Sequence, residues 1–383
     1  MPETDVKPSP AAPTLVTGTG KPLSVTRLRK TYGGVTAVDE VSMEIAAGEF
    51  VTFLGASGSG KTTTLMMIAG FCEPDSGGIV VGGRDVTRLA PQKRGLGFVF
   101  QQYLLFPHMT VWENVAFPLQ LRGVPKAELR QRVGETLEMA GLSAMARRRP
   151  RELSGGQQQR VALCRALVYR PPVILMDEPL GALDKKLRDQ LQTEIKRIQQ
   201  ELGLTVIYVT HDQEEALVLS DRIAVMRDGR IDQFDTPQEL FERPRTPFVA
   251  DFLGAANFLP GHLEERPDGD AHILVRLDTG GLLRARPQAA ADGARVRAAV
   301  QPGRLALCPP GDGFCTGTVE TVTYVGTLVR VTVRPLGGSN TEPIRLELPA
   351  GRAPALGERI GLTADPADVS VFPDVLPDPG HGG

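Results

Sequence analysis

Cysteine is scarce in this chain: four among 383 residues, at Cys72, Cys164, Cys308 and Cys315, and no two form a CxxC pair. That scatter argues against a disulfide framework and suits a reducing cytosol. Neither charge sign is in excess, since 43 Lys plus Arg face 45 Asp plus Glu, so a strongly cationic coat for nucleic acid is excluded. No uninterrupted apolar run approaches the ~18 residues a membrane-spanning helix needs. The first 22 residues hold five prolines but no apolar core of a secretory signal, and are expected to be a loose tail. What is present is a hydrophobic content of 41%, that of an ordinary globular protein, which excludes a disordered chain. The length is that of two or three domains.

The texture changes near residue 250. Before it, short apolar runs alternate with helical patterns, as in α/β proteins with parallel strands. VILMD (173–177) and VIYVT (206–210) read as strands buried on both faces. Between them Leu183, Leu187, Leu191, Ile195, Ile198 and Leu202 recur every three or four residues, one apolar stripe on a helix of roughly five turns. A second helix is predicted over 125–140, with Pro125 at its start and Leu129, Val133 and Leu137 on one face. Beyond residue 250 come β-rich segments, including 318–333 and 344–348 with a GGSN turn (337–340) between them, which predict a small barrel or sandwich. Residues 251–383 carry 12 Arg, no Lys and 16 Asp plus Glu, so a basic groove for nucleic acid is not expected there.

GASGSGKT (55–62) follows the apolar EFVTFL and precedes a helix-like stretch, the setting the phosphate-binding loop pattern G-x-x-x-x-G-K-[ST] requires. Gly55, Ala56, Ser57, Gly58, Ser59, Gly60, Lys61, Thr62 and Thr63 are the candidate nucleotide-binding residues. Glycines let the backbone wrap a phosphate chain with its N–H groups pointing inward. Lys61 supplies a point charge for the β- and γ-phosphates, and Thr62 a hydroxyl for Mg²⁺. VILMDEP (173–179) ends an apolar strand in two carboxylates: Asp177 suits Mg²⁺, and Glu178 suits orienting or deprotonating an attacking water. Upstream, Ser154 is a good N-cap and Gly155 and Gly156 permit close backbone approach to an anion, with Gln157 the next residue.

With Leu153–Gln157 reading LSGGQ, residues 23–245 resemble the ATPase subunits of ABC transporters, and the motifs fall in that family's order. The resemblance implies ATP and Mg²⁺ as cofactors and a P-loop NTPase domain with a helical subdomain. It assigns Tyr32 to stacking on adenine, Gln101 to sensing Mg²⁺ and the attacking water, Asp184 of LGALD (180–184) to a loop crossing between subunits, and His211 to the γ-phosphate. Glu178, His211, Gln101 and Lys61 are thereby the expected catalytic set, with Thr62, Gln101 and Asp177 at the metal. The resemblance further implies a head-to-tail pair of identical subunits, each nucleotide lying between the Lys61 loop of one copy and the Ser154 helix start of the other.

An OB-like C-terminal extension resembles that of importer ATPases, which work with two membrane permease subunits and an extracellular or periplasmic solute-binding protein. The expected division is a tail at 1–22, the ATPase at 23–245, the β domain at 246–373 and a tail at 374–383, with the subunit at the cytoplasmic face of the membrane. Leu104, Leu105 and Phe106 are candidates for a permease-docking groove, or equally for plain subdomain core. The segments around 101–130 and 211–244 most resemble spermidine/putrescine importers, with ferric iron, phosphonate and sugar importers as alternatives. A soluble ABC ATPase is the alternative from another class; a GTPase is disfavoured because no N-K-x-D motif occurs.

Overall fold

The computed structural model describes residues 20–181, 183–264, 272–286, 294–337 and 342–374. Two units divide the chain, one ending at Ile231 and the other beginning at Asp232.

In the first unit, five parallel strands lie side by side in the order Gly97–Val99, Val173–Asp177, Thr205–Thr210, Phe50–Leu54 and Arg222–Arg227. The three central ones are buried at every position, which is why they read as continuous apolar runs rather than alternating ones. The predicted strand–helix–strand unit is present: Val173–Asp177 leads through the helix Lys185–Leu202 to Thr205–Thr210, its parallel neighbour. Leu191, Ile195 and Ile198 of the stripe are buried against the sheet. The order of strands brings the ends of Phe50–Leu54, Val173–Asp177 and Thr205–Thr210 to one edge, where ligands bind in open α/β sheets.

An antiparallel sheet runs Val35–Ile45, Leu23–Tyr32, Ser76–Val81, Arg84–Asp85. A helical subdomain packs Val111–Leu121, Lys126–Met139 and Gly155–Leu167 around Val115, Leu119, Val133, Leu137, Val161 and Cys164. The helix expected over 125–140 is thus Lys126–Met139, with Pro125 as its cap.

The second unit contains two five-stranded antiparallel sheets. One runs Leu282–Ala285, Ile273–Leu277, Asn257–Leu263, Arg295–Val300, Ser370–Pro373; the other runs Leu305–Cys308, Arg359–Ala364, Cys315–Val325, Leu328–Pro335, Ile344–Pro349. Alternate residues of both, such as Val275, Val296, Val331 and Leu362, share one core. The stretch 318–333 is therefore two strands: it breaks at Gly326, whose φ of 68° closes a hairpin. Residues 338–340 of the expected turn, 1–19 of the N-terminal tail and 375–383 of the C-terminal one lie outside the described residues. Among the described residues no helix is long and apolar enough to cross a membrane.

Candidate functional site

The loop 55–60 leaves the strand Phe50–Leu54 and enters the helix Lys61–Ala69. Gly60, at φ 96°, caps that helix in a left-handed conformation, and a methyl group there would stand 2.5 Å from the Ala37 carbonyl oxygen. The loop is anchored from the far side by the Gly229 N–H, which donates to the Ser59 carbonyl at 3.2 Å. Ala56, Ser57, Gly58 and Thr62 face solvent, Thr63 is half-buried, and Ser59 is buried. Among the described residues the Ser59 hydroxyl has no hydrogen-bond partner, an orphaned polar atom inside the cradle that suits a phosphate oxygen. Lys61 is 5% exposed and donates at 2.8 Å to both the Gly55 and Ala56 carbonyls. Burial lowers the pKa of its ammonium, while Glu178 and Asp177 pull it back up.

The strand Val173–Asp177 delivers two carboxylates to this loop. Thr62 Oγ1 donates to Asp177 Oδ1 at 3.1 Å, so a hydroxyl and a buried carboxylate stand together. Burial raises the Asp177 pKa, which the Thr62 hydrogen bond opposes. This pair offers the hard oxygen ligands a divalent cation such as Mg²⁺ takes. Glu178 has φ 42°, a conformation that costs about 1–3 kcal/mol in a non-glycine residue and persists only when its surroundings hold it. They do: its N–H donates to the Val209 carbonyl at 3.0 Å, Gln101 Nε2 donates to Oε2 at 3.1 Å, and His211 Nδ1 lies 3.1 Å from Oε1. Of the two adjacent glutamines it is Gln101 that reaches Glu178.

Lys61, Thr62, Asp177, Glu178, Gln101 and His211 are thus brought together. Tyr32 and the Ser154 helix start bond to other groups than these six. Tyr32 is 51% exposed at the end of its strand, its hydroxyl 3.0 Å from Cys72 Sγ and Lys30 Nζ 5.5 Å from its ring centre. Lys30 is itself held at 2.9 Å by Asp75. An aromatic ring this exposed has the chemistry to stack on a flat base. Ser154 and Gln157 close a reciprocal cap, Gln157 N–H to Ser154 Oγ at 3.4 Å and Ser154 N–H to Gln157 Oε1 at 3.0 Å. Ser154 and Gly155 face solvent, whereas Gly156 is buried against Leu187, where a methyl group would meet the leucine at 2.8 Å. Asp184, also exposed, caps the helix Lys185–Leu202 by accepting from the Leu187 N–H at 3.0 Å.

Three features around the site were not anticipated. Glu215, 2% exposed, accepts from Tyr208 Oη and Thr210 Oγ1, each at 2.8 Å, and so braces the strand end that presents His211; burial raises its pKa. Asp212 caps the helix Gln213–Leu219 immediately after His211. The D-x-x-E spacing from Asp212 to Glu215 is a legible helix-start signal that could have found both. Arg165, lowered in pKa by burial, donates to the Leu104 and Tyr103 carbonyls at 2.7 and 2.8 Å, fixing the turn that follows Gln101. The three docking candidates separate: Leu104 is exposed and Phe106 lines an open cleft of about 290 Å³, whereas Leu105 packs, half-buried, against the core, in line with the subdomain-core alternative for that residue.

A family profile described as "ABC transporter" matches residues 38–181, and one described as "TOBE domain" matches residues 298–372. The chain is 50% identical over 327 residues to the spermidine/putrescine import ATP-binding protein PotA of Rubrobacter xylanophilus, covering 83% of this chain and 86% of that one. To the Fe(3+) ions import ATP-binding protein FbpC of Rhizobium etli it is 47% identical over 310 residues, covering 80% and 87%. A solved dimeric post-hydrolysis state of the ATP-binding cassette MJ0796 bound to ADP and Pi superposes with a TM-score of 0.51 at 37% identity, over 56% of this chain and 98% of that one. The phosphate loop, the acidic strand end and these similarities together establish that the chain belongs to the ABC transporter ATPase family and carries a C-terminal TOBE domain.

Proposed function

We propose that this chain is the ATP-hydrolysing subunit of a polyamine importer, acting as a pair of copies on the cytoplasmic face of a membrane. The observation that carries the enzymatic reading is the position of Glu178, held by Gln101 and His211 beside the Lys61 loop. In this reading Glu178 accepts a proton from the attacking water, the water oxygen bonds to the γ-phosphorus, and the bond to the ADP oxygen breaks. Lys61 exchanges its two carbonyl partners for phosphate oxygens. Mg²⁺ held by Thr62 and Asp177, with Gln101 alongside, would neutralise charge on the β- and γ-phosphates. The solvent-facing Ser154 and Gly155 of a second copy cap the γ-phosphate, and Tyr32 stacks on adenine. Loss of the bridging phosphate lets the pair open, so that hydrolysis becomes motion.

Residues 23–245 are read as the ATPase module and 246–373 as the accessory β module. The cleft lined by Phe98, Phe100, Phe106, Phe117 and Leu121, with Arg122 and Arg165 also on its wall, is open and mostly apolar, which suits one short helix from a permease subunit on each copy of this chain. Cargo is selected by those subunits and by an external solute-binding protein, so no residue of this chain is a polyamine ligand. The polyamine assignment rests on relatives such as the Rubrobacter protein; the iron-import relative at 47% identity keeps ferric iron as the second reading. Purified receptor from the same transporter, titrated with spermidine, putrescine and ferric citrate, tests this. Tight polyamine binding is expected, and tight binding of iron alone overturns the cargo while leaving the ATPase reading intact.

A further inference from the structure

Arg188 stands on the first turn of the helix Lys185–Leu202, four residues after Asp184. Its guanidinium joins two segments far apart in sequence. Nη2 donates to the Leu183 carbonyl at 3.0 Å, inside the loop that carries Asp184. Nη1 donates at 2.9 Å to Asp212 Oδ2, in the turn that follows His211, and Nε lies 3.6 Å from Oε1 of the buried Glu215. The other Asp212 oxygen accepts from the N–H groups of Glu214 and Glu215 at 2.9 and 3.3 Å, so both oxygens of that carboxylate hold the turn. Glu215 Oε2 takes the Thr210 hydroxyl, and Thr210 Oγ1 in turn accepts from the Asp212 N–H at 3.0 Å. A continuous set of hydrogen bonds therefore runs from the Leu183 carbonyl to both residues flanking His211, whose ring lies against Glu178.

The opposite side of the same loop touches the start of the helix Gly155–Leu167. A methyl group on Gly155 would stand 3.5 Å from the Leu183 side chain, and Leu187 packs over Gly156. Leu183 thus lies between the helix start that receives phosphate from a second copy and the guanidinium that holds the His211 turn. Only the planar fork of arginine serves the carbonyl and the carboxylate together; a lysine reaches one of them.

We propose that Arg188 is a positioning residue that registers the Asp184 loop on the His211 turn, so that contact between a second copy and that loop is transmitted to the imidazole already standing beside Glu178. This rests on the paired-copy reading above. The half-buried ion pair serves geometry more than stability, in keeping with the small net worth of such pairs.

The test compares the full-length parent with Arg188→Lys and Asp212→Asn, assembled with the permease subunits. ATP affinity, thermal midpoint and hydrolysis rate against ATP concentration are measured. Asp212→Asn keeps an oxygen to cap its helix and removes the charge Arg188 binds, so it reports on the same link if the lysine variant is destabilised. Both variants are expected to bind ATP like the parent, to lose about 10- to 100-fold in kcat, and to turn a cooperative ATP dependence into a hyperbolic one. Parental kcat and cooperativity in both variants, or a kcat loss that merely tracks the folded fraction, overturns the role of Arg188. A parent that is itself hyperbolic and active as a single copy overturns the paired-copy reading instead.

Discussion

His211 Nδ1 lies 3.1 Å from Glu178 Oε1. With Gln101 Nε2 at the same distance from the other oxygen, the carboxylate is held at both ends on a strained backbone, as befits a group whose direction matters more than its stability. Glu178→Gln keeps the shape and removes the basic oxygen. Turnover is expected to fall about 10²–10⁴-fold, or about 3–5 kcal/mol of barrier, with ATP binding nearly unchanged. Parallel measurement of kcat and ATP affinity checks both halves, and a variant hydrolysing at the parental rate removes Glu178 from its role.

The Thr62–Asp177 pair leads to a cation experiment. Burial raises the Asp177 pKa, so protons compete with a divalent cation for that carboxylate at higher pH than for an ordinary aspartate. The Mg²⁺ concentration giving half-maximal activity is expected to rise as pH falls, and Asp177→Asn is expected to raise it at every pH and flatten the dependence. Mg²⁺ titrations at several pH values read this directly. An unchanged requirement in the variant places the cation elsewhere.

Elements carried by local pattern were legible in the sequence. The helix Lys185–Leu202 announced itself through Leu191, Ile195 and Ile198, and the strand Val173–Asp177 through the unbroken apolar run Val173–Met176. The phosphate loop was legible because its glycines answer to backbone geometry alone. Less legible was whatever depends on contacts between distant segments. Leu105, Phe106 and Leu104 are neighbours in sequence yet face core, cleft and solvent, because Tyr103 and Leu104 take positive φ angles that scramble any periodicity. Arg165, clamping that turn from 61 residues away, carries no local signal.

Tyr32 gives a graded expectation. If its exposed ring receives the base, Tyr32→Ala loses about 1–3 kcal/mol of ATP binding, whereas Tyr32→Phe keeps the ring face and gives up only the hydroxyl contact with Cys72. Equilibrium titration with ATP and GTP is expected to show similar losses for both nucleotides in the alanine variant, since stacking reads no base edge. Parental affinity in Tyr32→Ala would move the base to another surface.

Cys164 links pH to stability. Burial pushes its thiol up to about 12 from the usual 9.0. A folded pKa above the unfolded one means that the contribution is complete below pH 9.0 and is lost as pH rises toward about 12. Urea midpoints measured through this range are expected to fall more steeply for the parent than for Cys164→Ala. Equal slopes would show that the thiol ionises as readily in the folded chain as in the unfolded one.

Mixing two inactive variants tests the shared nucleotide site most directly. Lys61→Ala lacks a working phosphate loop and keeps its helix start, while Ser154→Arg keeps the loop and blocks the helix start. Combined in one assembly on a Glu178→Gln background, they restore one complete site, so ATP-dependent pairing with one trapped nucleotide per two chains is expected only in the mixture. Nucleotide trapped by Ser154→Arg alone as a single copy, with no gain on mixing, would contradict a site built from two chains.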